Sequence, residues 1–205
     1  MQIDSAQIWS LAVSFLIGSV PTAFLLIRRS LSRDLRREGS GNIGALNAYE
    51  VSGSKYLGLS VLLIDLVKGA LPLLTVPLVF GSAAGVREAA FTGVVLGHNF
   101  SPWIGFKGGR GLASAAGASL IYDIGFIVVW GAFWLASFAV TRRVIVSNII
   151  ASLLAIPAIV SLALFGWPVQ ALHLQDWPHA ITGSIVCVLI LMGHRKVFSE
   201  WMKRR

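Results

Sequence analysis

Two short strings carry the residues best suited to chemistry. Gly39 to Asn47 reads GSGNIGALN, and Phe106 to Gly111 reads FKGGRG. In the first, Gly39, Gly41 and Gly44 allow a sharp polar turn whose amide N–H groups face one concavity. Ser40, Asn42 and Asn47 add uncharged side-chain donors. In the second, Lys107 and Arg110 bring positive charge, while Gly108, Gly109 and Gly111 let backbone approach a ligand. Lysine offers phosphate a point charge and arginine a two-pronged fork. Two loops of this kind predict two anion cradles. The competing reading is flexible hinges beside topogenic charge, and it stays open at this point.

The surrounding chain is apolar. It has 205 residues, 56% hydrophobic and 13% charged, with mean hydropathy +0.76. That charged share is about half the soluble average, and the apolar residues come in long runs, as membrane spans require. The expected fold is all-α and polytopic, a single domain over 1–205 with seven spans: 7–27, 56–80, 89–105, 111–122, 124–141, 144–166 and 180–193. The fourth is short for a crossing and rich in small residues that permit close helix packing. Asn47 to Lys55 is expected to form a short interfacial helix, and Pro157 a kink. No basic cluster precedes the first run, so that run is expected to be a retained helix rather than a cleaved signal.

The charges test the span count. With seven spans, one side receives 28–55, 106–110, 142–143 and 194–205, which hold 15 of the 17 Lys and Arg residues. The positive-inside rule then puts both glycine loops and the C-terminus in the cytoplasm and the N-terminus outside. The net charge of +8 is explained by this topology, and no nucleic-acid-binding motif is present. Trp167 and Trp177 stand where interfacial anchors belong.

Other polar residues flank the loops. His98 and Asn99 sit near the cytoplasmic end of the third span. His98 is open to two readings, a general base or anion donor, and a structural histidine bonded to a carbonyl. Asp65 and Lys68, three residues apart on one helical face, are expected to pair and to shape the floor of the site. His194 and Arg195 lie where the seventh span meets the cytoplasm, within reach of a phosphate or of lipid headgroups. The lone Cys187 excludes an internal disulfide and reads as a small buried hydrophobe. His173, Asp176 and His179 share the outer loop without a metal-ligand spacing, and neither HExxH nor GxSxG occurs. No histidine is followed five residues later by aspartate, so an acyltransferase of this sequence would need a donor already activated.

Taken together, the strings resemble the bacterial acyl-phosphate:glycerol-3-phosphate acyltransferases, an integral membrane family. Gly18-Ser19-Val20-Pro21 resembles that family's GSIP, GSGNIGALN its GSGNxGATN, Asp65-Leu66-Val67-Lys68-Gly69 its DxxKG, and GHNFSPWIGFKGGRG its GHxxPxxxxFKGGKG. The resemblance implies seven spans and acyl transfer from acyl phosphate to the 1-hydroxyl of glycerol 3-phosphate. The products would be lysophosphatidic acid and phosphate, for phospholipid synthesis at the bacterial inner membrane, with the site facing the cytoplasm. It implies no metal or organic cofactor, and membrane lipids as neighbours. It places Ser40, Lys107, His98 and His194 among the catalytic residues. Substrate binding falls to Gly39, Gly41, Asn42, Gly44, Asn47, Gly108, Gly109, Arg110, Gly111, Asp65 and Lys68.

Departures from the family pattern are Leu46 for threonine, Glu50 for arginine, Arg110 for lysine and Val197 for asparagine; Trp201 and the stop at Arg205 break its usual tail. Two other classes therefore stay open: a transporter or channel for a phosphate-bearing anion, and a degenerate homologue acting as a membrane interaction protein.

Overall fold

The computed structural model describes residues 4–166 and 176–195, and every regular element among them is helical. In chain order these are α1 (Ser5–Ser19), α2 (Thr22–Leu31), α3 (Ala45–Ser52), α4 (Lys55–Phe80), α5 (Val86–Asn99), α6 (Leu112–Tyr122), α7 (Gly125–Thr141), α8 (Val144–Phe165) and α9 (Trp177–Gly193). Single 3₁₀ turns lie at Leu35–Arg37 and Pro102–Ile104. Trp167, His173, Val197 and Trp201 lie outside the described residues.

The expected first span is two helices. Pro21 has no N–H and drives Val20 out of the helical region (ψ 116°). The break strands carbonyls at the end of α1, and distant residues satisfy them: Lys68 Nζ donates to Val20 O (2.9 Å) and Ser101 Oγ to Ser19 O (2.6 Å). A cation at a helix C-terminus also complements the helix dipole. The third span stops at Asn99 rather than 105, because Ser101 precedes Pro102. The interfacial helix runs Ala45–Ser52 rather than 47–55, and Gly53 ends it at φ +66°. α9 begins at Trp177, with Pro178 in its first turn, where a missing N–H costs nothing.

Among the described residues, three stretches are long and apolar enough to cross a membrane: Ser5–Leu31, Lys55–Phe80 and Val144–Phe165. Leu78 and Val140 are each 85% exposed. An apolar surface of that kind suits lipid rather than water.

Small residues bring the helices together, as lipid-embedded packing demands. A methyl on Gly18, Gly93 or Gly97 would strike backbone across the α1–α5 contact, and one on Gly69 or Gly117 would strike backbone between α4 and α6. Trp130 Nε1 donates to Ser152 Oγ (3.0 Å) and Trp134 Nε1 to Asn148 Oδ1 (2.7 Å), tying α7 to α8. The short α6, about 16 Å at 1.5 Å per residue, is packed on α4, α5 and α7. Its N-terminus carries the FKGGRG loop.

Candidate active site

The first loop is built by one side chain. Asn47, buried at the start of α3, accepts from Ser40 N (2.9 Å) through Oδ1. Its Nδ2 donates to Asn42 O (2.9 Å) and Glu38 O (3.2 Å). Asn47 thus holds the loop's shape, and its amide is spent on backbone rather than offered to a ligand. Gly39 (φ +55°) has no room for a methyl because Asn47 Oδ1 occupies that space. Ion pairs brace the loop's approach: Arg33 with Glu38, and Arg36 with Asp34 (2.7 Å). Arg36 also lies over the Phe24 ring at 5.0 Å.

The second loop folds back on the end of α5. Gly108 N donates to Asn99 O (3.1 Å) and Gly109 N to His98 O (3.0 Å). The His98 ring stands behind Gly109, bonded to Ser114 Oγ through Nδ1 (3.1 Å), with Asp65 Oδ1 at 3.8 Å. Asp65 in turn pairs with Lys68 (2.7 Å). This buried Lys68–Asp65–His98 group links the α1–α2 break to the underside of the loop. Asn99 Nδ2 donates to Leu189 O (2.6 Å), anchoring α9, and the His194 ring at the C-cap of α9 donates from Nδ1 to Ile190 O (2.8 Å) of the same helix.

The two loops share one cleft of about 700 Å³, within the size range of small-molecule sites. Gly39, Ser40, Gly41 and Asn42 line one wall, and Lys107, Gly108, Gly109 and Arg110 another. Met192, Gly193 and Ile145 close it from α9 and α8. Gly44, Asn47, Asp65, Lys68, His98, Gly111 and His194 are not among the lining residues. They stand behind the walls. Arg36, Arg37 and Asn99 also line the cleft, as does Arg195, which the sequence puts within reach of a phosphate. For Arg36 and Arg37 the signal in the sequence is the arginine run itself, which positive-inside topology also accounts for.

The cleft is cationic. Burial pushes the Arg110 guanidinium below its ordinary value, and the Glu50 carboxylate opposes that shift. Arg36 holds the Asp34 carboxyl down at about 2. Burial, with the Arg110 charge adding to it, lowers His194 from 6.5 to about 4, while its bond to the Ile190 carbonyl acts the other way. The ring is therefore neutral in the fold, and the unfolded chain takes the proton first as pH drops. His194 contributes stability that is intact above about pH 6.5 and is lost as pH falls toward about 4. The thermal midpoint should fall across that window, and His194→Gln should flatten the fall; equal slopes for both proteins would rule out a buried neutral ring.

Helices that are apolar on most sides and carry one cationic, glycine-walled cleft define an integral membrane protein that handles anionic substrates. The family model described as glycerol-3-phosphate acyltransferase matches residues 8–204. Proteins named glycerol-3-phosphate acyltransferase are similar along most of their length. The one from Pelodictyon phaeoclathratiforme is 35% identical, covering 90% of this chain and 88% of its own. That from Lactiplantibacillus plantarum is 32% identical, covering 90% and 83%. The crystal structure of PlsY (YgiH), an integral membrane glycerol 3-phosphate acyltransferase, in its glycerol 3-phosphate form superposes with TM-score 0.76 at 28% identity, over 98% of this chain and 94% of that one. The lysophosphatidic acid form gives 0.74 at 26% identity. This chain belongs to the glycerol-3-phosphate acyltransferase family.

Proposed function

We propose that the chain transfers an acyl group from acyl phosphate to the 1-hydroxyl of glycerol 3-phosphate, releasing lysophosphatidic acid and phosphate. The observation that carries this reading is the single cleft walled by both glycine loops. Both substrates bear phosphate, and the cleft presents Lys107, Arg110, Arg36, Arg37 and Arg195 to them. Family membership and relatives solved with glycerol 3-phosphate and lysophosphatidic acid support it.

The chemistry asks little of a nucleophile. Acyl phosphate is a mixed anhydride. The acceptor hydroxyl oxygen bonds to the acyl carbon, the acyl carbon–phosphate oxygen bond breaks, and the hydroxyl proton passes to the departing phosphate. Negative charge develops on the acyl oxygen and the leaving group, so catalysis is positioning plus charge stabilisation. Lys107 and Arg110 hold the charge, the Gly39–Asn42 wall with Ser40 and Asn42 seats a phosphate, and Asn47, His98, Asp65, Lys68 and His194 hold those walls in place. Seven spans with the cleft on the cytoplasmic side of the inner membrane fit the charge distribution, since 15 of 17 Lys and Arg fall on one predicted side.

Purified protein in liposomes, given palmitoyl phosphate and glycerol 3-phosphate, tests the reading. Phosphate release should require both substrates and match lysophosphatidic acid formed. Anion flux without turnover would mark a transporter, and neither activity would mark an interaction protein.

A further inference from the structure

Arg110 is an uncommitted cation. Its backbone is packed on α9, where a methyl added at Gly193 would lie 2.8 Å from Arg110 Cα. Its half-buried guanidinium lines the cleft and makes no ion pair or hydrogen bond among the described residues. The N–H fork is therefore held for a ligand. Arg33 and Arg36, on the approach to the first loop, differ: each has a carboxylate in contact, Glu38 and Asp34 respectively.

Arg110 has a carboxylate near it but out of contact. α3 leaves the first wall at Ala45, and its Asn47 and Val51 face that wall, since a methyl on Gly39 would meet both. Glu50 stands three residues beyond Asn47, exposed on the flank of the same face. The wall touches the second loop where Gly109 meets the Ile43 carbonyl, one residue before Arg110. The Glu50 charge acts on Arg110 and favours its charged form, yet no ion pair closes between them. Glu50 pairs with no other cation among the described residues, and none of the residues lining the cleft is acidic. Glu50 also reverses the charge of the family pattern, so this carboxylate is a feature of the chain itself.

A phosphate seated on Arg110 carries its charge into the field of an unpaired carboxylate. Repulsion from Glu50 offsets part of the attraction to the fork, and it grows with the charge on the ligand. Arg36, Arg37, Lys107, Arg110 and Arg195 line one cleft. So many cations hold an anionic product as firmly as a substrate, and product release sets many turnover rates.

We propose that Glu50 is a specificity-determining residue that limits how tightly the cleft holds a phosphate dianion on Arg110, and so keeps the anionic products exchangeable. Glu50 acts through Arg110 and is not itself a ligand of the phosphate. The identity of the products rests on the proposed acyl transfer; the effect on phosphate affinity does not.

Inorganic phosphate, titrated calorimetrically into purified protein at low salt, should bind Glu50→Gln about three- to tenfold more tightly than wild type, the scale of one charge acting through partly screened solvent. Glu50→Lys should bind tighter still. Sodium chloride at about 0.5 M should erase most of both gains, which a change in packing would not do. In an Arg110→Gln background the gain from Glu50→Gln should vanish. KM for glycerol 3-phosphate should fall with the phosphate dissociation constant, while kcat holds or drops. Glu50 is exposed, so thermal midpoints equal to wild type show that its variants are folded. Unchanged phosphate affinity in both Glu50 variants, a gain that survives high salt, the same gain without Arg110, or a kcat that rises with affinity would overturn the proposal. Wild-type protein inert toward every acyl phosphate would instead overturn the acyl-transfer reading and leave the phosphate titration to decide on Glu50.

Discussion

Lys107→Ala is expected to lower kcat/KM for acyl transfer by about 10²–10³-fold, the loss typical of removing one preorganised group that stabilises developing charge. Lys107 is exposed at the cleft, between Phe106 (φ +58°) and Gly108, and among the described residues no carboxylate pairs with it. Its charge is free for a substrate. Arg36 differs: Asp34 already takes its fork, so Arg36→Ala should cost much less. Being exposed and unpaired, Lys107 should be removable with stability changed by no more than about 0.5 kcal/mol. A thermal midpoint measured alongside the kinetics therefore separates lost chemistry from lost fold. Lys107→Arg should keep part of the rate, since charge survives while the compact ammonium geometry does not. Wild-type kinetics in Lys107→Ala would exclude this loop from charge stabilisation.

The parts of this architecture that the sequence disclosed are those that follow from composition along the chain. Apolar runs locate most of the helices but hide the break at Pro21 and carry the third span to 105, past its end at Asn99, and the glycine-rich strings locate both walls of the cleft. What could not be read was the direction of individual side chains. Asn47 looked like one more donor for an anion, yet its carbonyl and amide close the loop on Ser40, Glu38 and Asn42. Nothing local to GSGNIGALN says whether an asparagine faces inward or outward. Asp65 and Lys68 declared themselves a pair by their spacing, and they are one. That Lys68 also holds the carbonyl of Val20 depends on a helix break 48 residues away.

The arginines are ambiguous in the sequence for a different reason. Topogenic charge and ligand-binding charge have the same composition, and only the fold shows Arg36, Arg37 and Arg195 turned toward one cleft. Glu50, a charge reversal against the family pattern, acts on Arg110 and favours its charged form.

Gly109 is where the two walls meet, and this makes its substitution the most informative structural test. Its N–H is tied to His98 O at 3.0 Å. A β-carbon there would lie 2.6 Å from the carbonyl oxygen of Ile43, in the first loop, and would also overlap the His98 ring nitrogen. Neither neighbour yields easily. The Ile43 carbonyl is backbone, and the His98 ring is held by Ser114 with the Asp65–Lys68 pair behind it. Gly109→Ala must therefore push the loops apart, and a displacement approaching 1 Å can cost about 10²-fold in rate. The expected result is a loss of that order in kcat with helical content unchanged. Adding His98→Ala should restore part of the rate, because it removes one of the two obstacles, and the two effects should be non-additive for groups in contact. Full activity in Gly109→Ala alone would show that the cleft does not depend on the close seating of one loop against the other.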